Sequence, residues 1–214
     1  IITSLLDGGA EGVLYRLCCH DKMNEHLVVS LRGQGKYGTL LSKQGIKIYT
    51  LDMKPGKFSI IAFYKLIKIL KNEKADIVQT WLYHADFFGG IAARLAGVSN
   101  LIWNVRHSDF NKDYTKKSLL LLVKVLAKLS YFLPKKIIFC AKSSIKLHTK
   151  IGYQRYKMEY VPNGYDIQKF RPNPLKKSIL KKKNHINNQV TLLGCVARFH
   201  PQKDHKNMDN KEEK

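Results

Sequence analysis

Residues 77–105 read IVQTWLYHADFFGGIAARLAGVSNLIWNV. Ile77–Trp81 and Leu101–Val105 are short, continuous apolar runs of the kind found in strands buried on both faces. Between them, Ala85–Ala96 repeats its apolar residues at three- and four-residue spacing, which predicts a helix. Two buried strands joined by one helix predict a parallel β-α-β unit, and working outward the same alternation recurs along the chain. Ile1–Leu6, Leu27–Leu31, Ile46–Leu51, Ile137–Cys140 and Met158–Val161 read as further strands. Glu11–His20, Ser59–Asn72, Lys117–Leu133 and Ser143–Ile151 read as further helices. The expected fold is α/β: a doubly wound parallel sheet, Rossmann-like, covered by helices on both faces.

After Val161 the texture changes. Pro162-Asn163-Gly164 signals a turn, Pro172 and Pro174 bracket an extended passage, and Lys176–Asn188 is basic and polar, as in a linker or an exposed helix. Val190–Val196 reads as the first strand of another domain, and Met208–Lys214 has no apolar periodicity. The sequence therefore divides into a Rossmann-like domain at 1–163, a linker at 164–188, the start of an incomplete second domain at 189–207, and an off-pattern tail at 208–214.

The chain has 214 residues, 44% of them hydrophobic, enough for one well-packed domain but short for two complete Rossmann-like ones. No apolar run reaches the roughly 18 residues needed to span a bilayer, and no secretory signal pattern opens the sequence. Cys18 and Cys19 are adjacent, Cys140 and Cys195 lie in apolar runs, and none has a zinc-site spacing, so all four read as packing residues of a cytoplasmic protein. Against 16 acidic residues stand 38 Lys and Arg, a net charge of +22. Such a field attracts nucleic acid, anionic lipid or phosphorylated substrates, and charge alone does not choose among them. Aromatics do not interleave with the basic residues, which argues against a nucleic-acid-binding module.

In a sheet of this class ligands bind at the carboxyl ends of the strands. The first such loop is Asp7-Gly8-Gly9-Ala10-Glu11, where two glycines let the backbone approach a ligand and a helix N-terminus favours an anion. A tight turn with Glu11 complementing the helix dipole explains the same residues. Gly33-Gln-Gly35-Lys-Tyr-Gly38 matches the dinucleotide fingerprint, with Asp52 ending the next strand, and makes an NAD-binding reading possible. Against that reading, only Thr39–Gln44 separates Gly38 from Gly45, too little for a helix that crosses the sheet, and Arg32 and Lys36 flank the loop. His84 and Asp86, followed by Gly89-Gly90, suit hydroxyl recognition, or else an N-cap and packing. Arg106-His107-Ser108-Asp109 ends the next strand; His107 can exchange a proton with a sugar hydroxyl, and Arg106 can pair with a phosphate. On the helix Lys117–Leu133, Lys117, Lys124 and Lys128 fall within roughly 40° of one another. Lys135, Lys136 and Lys142 follow closely. That stripe is either a solvated face or a contact for anionic lipid.

Several of these loops occur in the order of one known group. Gly8-Gly9-Ala10-Glu11, then Thr80–Asp86 with Gly90–Gly97, then Val161–Asp166 with Phe170-Arg-Pro172, and finally Val196-Ala-Arg198-Phe-His-Pro201-Gln-Lys203 together resemble family 4 glycosyltransferases. The last segment is similar to the family's G-R-x-x-x-x-K donor loop, with Ala197 in place of glycine. The resemblance implies a GT-B fold of two facing Rossmann-like domains. It implies transfer of a sugar from a nucleotide-sugar to a saccharide or lipid-linked acceptor, with retention and with neither metal nor cofactor. It makes His107 the active-site histidine, and places Gly8, Gly9, Arg198 and Lys203 at the donor diphosphate. Glu11, His84, Asp86 and Arg106 stand on the acceptor side. Two cations would stabilise the departing diphosphate.

The departures are equally specific. The family's later Glu-x7-Glu segment has no counterpart, and Met208–Lys214 is polar where the family continues into an apolar helix. This resembles a frameshifted or split reading frame. The chain alone is expected to bind nucleotide-sugar poorly and to show little or no transfer. The main alternative is an inactive remnant, or one subunit complemented by a separately encoded C-terminal half.

Overall fold

The computed structural model describes residues 1–108, 110, 115–187, 189–197, 199, 205 and 207. They form two compact units, Ile1–Gly164 and Tyr165–Lys214.

The first unit alternates helix and strand. Its elements are α1 (Gly9–His20), β1 (Leu27–Ser30), α2 (Gly35–Lys43), β2 (Lys47–Thr50), α3 (Ile60–Glu73), β3 (Val78–Trp81), α4 (Tyr83–Leu95), β4 (Leu101–Val105), α5 (Lys117–Leu129), β5 (Lys136–Phe139), α6 (Lys142–Ile151) and β6 (Met158–Tyr160). All strand pairs are parallel, β1 with β2 and β3-β4-β5-β6 in sequence order. The N-terminal segment joins the two groups. Ile2 N–H donates to Val29 O at 2.9 Å and Leu31 N–H to Ile2 O at 2.9 Å, while Trp81 N–H donates to Ile1 O at 2.8 Å.

Ile1–Leu6 is thus not the full strand expected: only Ile2 pairs, with Ser30 and Trp81. The chain leaves the sheet because Leu5 O accepts from Tyr37 N–H of α2 at 2.9 Å instead of from a strand. Helix α2 is a second correction. The glycine-rich segment is not a loop before a short helix; Gly35 opens the helix and Gly38 lies buried within it. A Cβ at Gly35 would stand 2.4 Å from Leu5 O, so this glycine seats α2 on the Leu5–Leu6 backbone.

Alternation along the strands divides the core. Val28 faces a cluster with Ile2, Leu5, Leu14, Cys18, Leu41 and Trp81, beneath α1 and α2. Val29 faces the larger cluster, with Leu66, Phe88, Leu101, Trp103, Leu126, Ile137 and Phe139, beneath α3 to α6. Helices therefore cover both faces, as a doubly wound sheet requires. Ser59 caps α3 by accepting from Ala62 N–H at 3.2 Å, and Gly152 at φ 106° closes α6. Helix α5 stops at Leu129, short of the expected Leu133. Ser130 turns inward there, its hydroxyl accepting from Gln154 N–H at 3.0 Å.

In the second unit, Asn173 caps α7 (Pro174–Lys183) by accepting from Lys176 N–H at 2.9 Å, with Pro174 in the first turn. The buried Lys181 ammonium donates to Val190 O at 2.6 Å. Val190–Val196, expected as a strand, carries no regular secondary structure. A parallel strand needs a neighbour for its backbone groups, and the second unit offers none among the described residues. No helix among the described residues is long and apolar enough to cross a membrane.

Candidate functional site

The carboxyl edge of the sheet gathers the loops after Ile2, β1, β3 and β4. Gly8 is the N-cap of α1, at φ −147° and ψ 165°. The Glu11 carboxylate folds back against it: a Cβ on Gly8 would meet Glu11 Oε2 at 2.3 Å. Glu11 is buried and accepts from Ser4 Oγ at 3.2 Å. It therefore supports the loop from inside rather than reaching an acceptor. Gly9 is different, since a Cβ there would meet nothing within 4 Å, and its backbone borders open space. Lys36 of α2 pairs with Asp7 at 2.8 Å, tying the loop to α2 with an exposed ion pair that stabilises little.

Leu82, between β3 and α4, has φ 73° and ψ 151°, a backbone region essentially reserved for glycine. It is held there from two sides: its N–H donates to Asn104 O at 3.3 Å, and its carbonyl accepts from Asp86 N–H at 2.9 Å. This bend puts His84 on the surface and Asp86 inside. The imidazole pKa of His84 is lowered, first by the packing around it and then by the Arg32 guanidinium. Asp86 has no exposed surface; it accepts from Thr80 Oγ1 at 2.6 Å, and burial raises its pKa well above the usual carboxylate range. It joins β3 to α4 from inside the first unit, which favours the packing reading of this residue over direct hydroxyl recognition. Gly89 and Gly90 likewise serve packing, lying against Ile1 and Trp103.

Arg106 lies with its guanidinium 4.6 Å from the centre of the Trp81 ring, and Nη1 donates to Asn163 Oδ1. Burial lowers its pKa, partly offset by Cys140, and Nε is buried without a partner among the described residues. A half-buried, incompletely satisfied guanidinium is a ready partner for an anion. Beside it, the half-buried His107 ring packs 6.0 Å from Tyr83 and 5.2 Å from Phe110.

Behind His107 stands a network that the sequence did not reveal. His148 of α6 is fully buried, with Nδ1 2.7 Å from Ser144 O and Nε2 2.8 Å from Tyr83 Oη. A carbonyl only accepts, so Nδ1 carries the proton and Nε2 accepts from the tyrosine hydroxyl. Burial pushes the His148 pKa down to about 4; the Ser144 carbonyl opposes that shift and His107 adds to it. Ser144 Oγ donates to His107 O, so α6 fixes the backbone of the candidate catalytic residue. Only the i, i+4 spacing of Ser144 and His148 hints at this in the sequence. Arg198, Lys203 and Asp109 lie outside the described residues.

Residues 7–169 match the family Glycosyltransferase Family 4. The chain belongs to that family. The glycosyltransferase relatives include an Escherichia coli UDP-Gal:alpha-D-GlcNAc-diphosphoundecaprenol alpha-1,3-galactosyltransferase. It is 32% identical over 154 residues, which are 72% of this chain and 38% of that protein. The capsular polysaccharide biosynthesis glycosyltransferase CapH of Staphylococcus aureus is 27% identical over 180 residues, 80% of this chain and 48% of CapH. Among solved structures, Anabaena HepE in complex with UDP superposes with a TM-score of 0.70 at 19% identity, covering 86% of this chain and 48% of HepE. That likeness speaks for the GT-B fold. The chain spans between 38% and 48% of the length of these relatives.

Proposed function

We propose that this glycosyltransferase chain is the acceptor-side half of an enzyme that moves a sugar from a UDP-sugar to a lipid-linked saccharide in the assembly of an envelope polysaccharide. The observation that carries the reading is His107, held at the carboxyl end of β4 by Ser144 and bordered by the aromatic wall of Tyr83 and Phe110. In the reaction the bond between the anomeric carbon and the diphosphate oxygen breaks, a bond to the acceptor hydroxyl oxygen forms, and the hydroxyl proton passes to the departing diphosphate. Retention of configuration and independence of metal belong to this reading. His107 binds a sugar hydroxyl, the Gly8-Gly9 backbone stands near the donor diphosphate, and Arg198 and Lys203 balance the charge of the leaving diphosphate. The rest of the donor pocket comes from a C-terminal domain, in the same chain or separately encoded.

The test offers UDP-galactose or UDP-glucose and a polyprenyl-diphosphate-linked saccharide to the protein, with and without the C-terminal half of the E. coli relative added in trans. Sugar incorporation is expected with the C-terminal half added and little or none without it, and it should fall at least roughly tenfold in His107→Ala, the scale of one lost hydrogen bond. No incorporation in either arm overturns the reading.

A peripheral place at the cytoplasmic membrane face fits the surface of α5. Lys117, Lys124 and Lys128 are exposed, and Leu121 and Val125, also exposed, lie on the same helix face at i+4 and i+8 from Lys117. Tyr131 and the 80% exposed Phe132 continue the apolar strip. Cations interleaved with apolar side chains suit an anionic bilayer, each lysine contributing about 1 kcal/mol. Reversing all three lysines to glutamate is expected to weaken sedimentation with phosphatidylglycerol vesicles on the order of 100-fold. Unchanged sedimentation removes α5 from the membrane.

A further inference from the structure

Beside α5, the next helix carries a second basic surface with a different form. Lys142, Lys146 and Lys150 recur every four residues along α6 and, with Ile145, Thr149, Arg155 and Tyr160, line an open groove of about 620 Å³. At a rise of about 1.5 Å per residue the three lysine positions step along the helix axis roughly 6 Å apart. All four cations are exposed, and none makes an ion pair among the described residues. Helix α6 has no acidic residue, and the adjacent Glu159 is already paired with Lys136. The groove is therefore a run of uncompensated positive charge, with a cation even in the first helical turn, where the helix dipole disfavours one.

Its position gives the charge a use. Tyr160 ends β6 and Lys142 follows β5, so one end of the groove meets the ligand-facing edge of the sheet, while Lys150 and Arg155 lie toward the other edge; Lys142 Nζ lies 5.6 Å from the centre of the Tyr160 ring. The opposite face of the same helix carries Ser144, whose hydroxyl donates to His107 O, and His148, which bonds the Ser144 carbonyl. Ile145, Tyr160 and the methylene stems of the lysines supply apolar wall between the charges. We propose that this groove binds the diphosphate and first isoprene units of a polyprenyl-diphosphate-linked acceptor, with Lys146, Lys150 and Arg155 nearest the phosphates and Lys142 extending the positive field. The proposal rests on the lipid-linked acceptor read above and assigns that acceptor's carrier a site outside the sugar-binding edge. Nothing in it depends on the donor.

The experiment titrates the protein with farnesyl diphosphate and, separately, with inorganic pyrophosphate by calorimetry, and measures sedimentation with phosphatidylglycerol vesicles. Lys146→Glu/Lys150→Glu is expected to weaken farnesyl diphosphate at least tenfold and pyrophosphate in parallel, with vesicle binding little changed. Lys117→Glu/Lys128→Glu on α5 is expected to do the reverse. Far-ultraviolet circular dichroism and thermal unfolding confirm that these exposed replacements leave the fold intact. Farnesyl diphosphate binding that is absent, that survives the α6 reversals, or that falls equally with the α5 reversals overturns the proposal. So does loss of vesicle binding alone in the α6 variant. Diphosphate binding without sugar transfer would keep the groove and sink the transferase reading, and transfer indifferent to the α6 reversals would do the opposite.

Discussion

Gly35→Ala is expected to destabilise the first unit by at least about 3 kcal/mol, the scale of a severe core lesion. Two effects combine. The residue sits at φ +54°, where a side chain costs roughly 1–2 kcal/mol, and its Cβ would stand 2.4 Å from Leu5 O and 2.6 Å from Leu5 C. Those atoms are backbone, so relief requires moving either α2 or the segment that leads into the Gly8-Gly9 loop. Gly45→Ala is the control: φ +78° imposes a similar conformational penalty, but no atom lies within 4 Å of its would-be Cβ. Urea unfolding should place Gly45→Ala near 1 kcal/mol and Gly35→Ala well beyond it. Equal losses would mean that α2 is not seated through this contact.

The second large effect is acid destabilisation through His148. Its folded pKa of about 4 lies below the ordinary value of 6.5, so between these pH values the unfolded chain binds a proton that the folded chain refuses. The stabilisation is complete above pH 6.5 and is lost as pH falls toward 4, amounting to about 3 kcal/mol at roughly 1.4 kcal/mol per unit. Asp86 works in the opposite sense, because its raised pKa makes the folded state lose stability as pH rises above the ordinary carboxylate value. Comparison with His148→Phe isolates the histidine. Unfolding free energy from pH 7 to 4 should fall more steeply in the parent than in the variant. Parallel curves would show that His148 is not held neutral.

The central β-α-β unit was legible because Ile77–Trp81 and Leu101–Val105 are apolar without interruption and Ala85–Ala96 keeps helical spacing between them. What the sequence obscured was what depends on close approach. The spacing of Gly33, Gly35 and Gly38 reads as a ligand loop, yet Gly35 and Gly38 belong to a helix resting on Leu5, and no periodicity encodes a backbone contact at a distance of thirty residues. Asp86 was open to two readings, hydroxyl recognition or an N-cap, and the bend at Leu82, which no pattern encodes, turns it inward. The Tyr83, Ser144 and His148 network brings α4 and α6 together behind the β4 loop, a convergence that only the folded sheet creates. Val190–Val196 has the composition of a strand, and strand formation also needs a partner. His107 was legible as a candidate because a group that exchanges protons near neutrality stands at the end of β4.

At Leu82 the fold gives up stability in return for definition. A leucine held at φ 73° and ψ 151° carries strain on the order of 1–3 kcal/mol that a glycine would not. Glycine would also let that junction sample other directions. Leucine, pinned to Asn104 and Asp86, leaves one exit angle for the chain, and with it one heading for Tyr83, whose hydroxyl donates to His148 Nε2 and whose ring borders His107. The most strained peptide on this edge of the sheet is thus the one that aims the wall behind the candidate catalytic histidine.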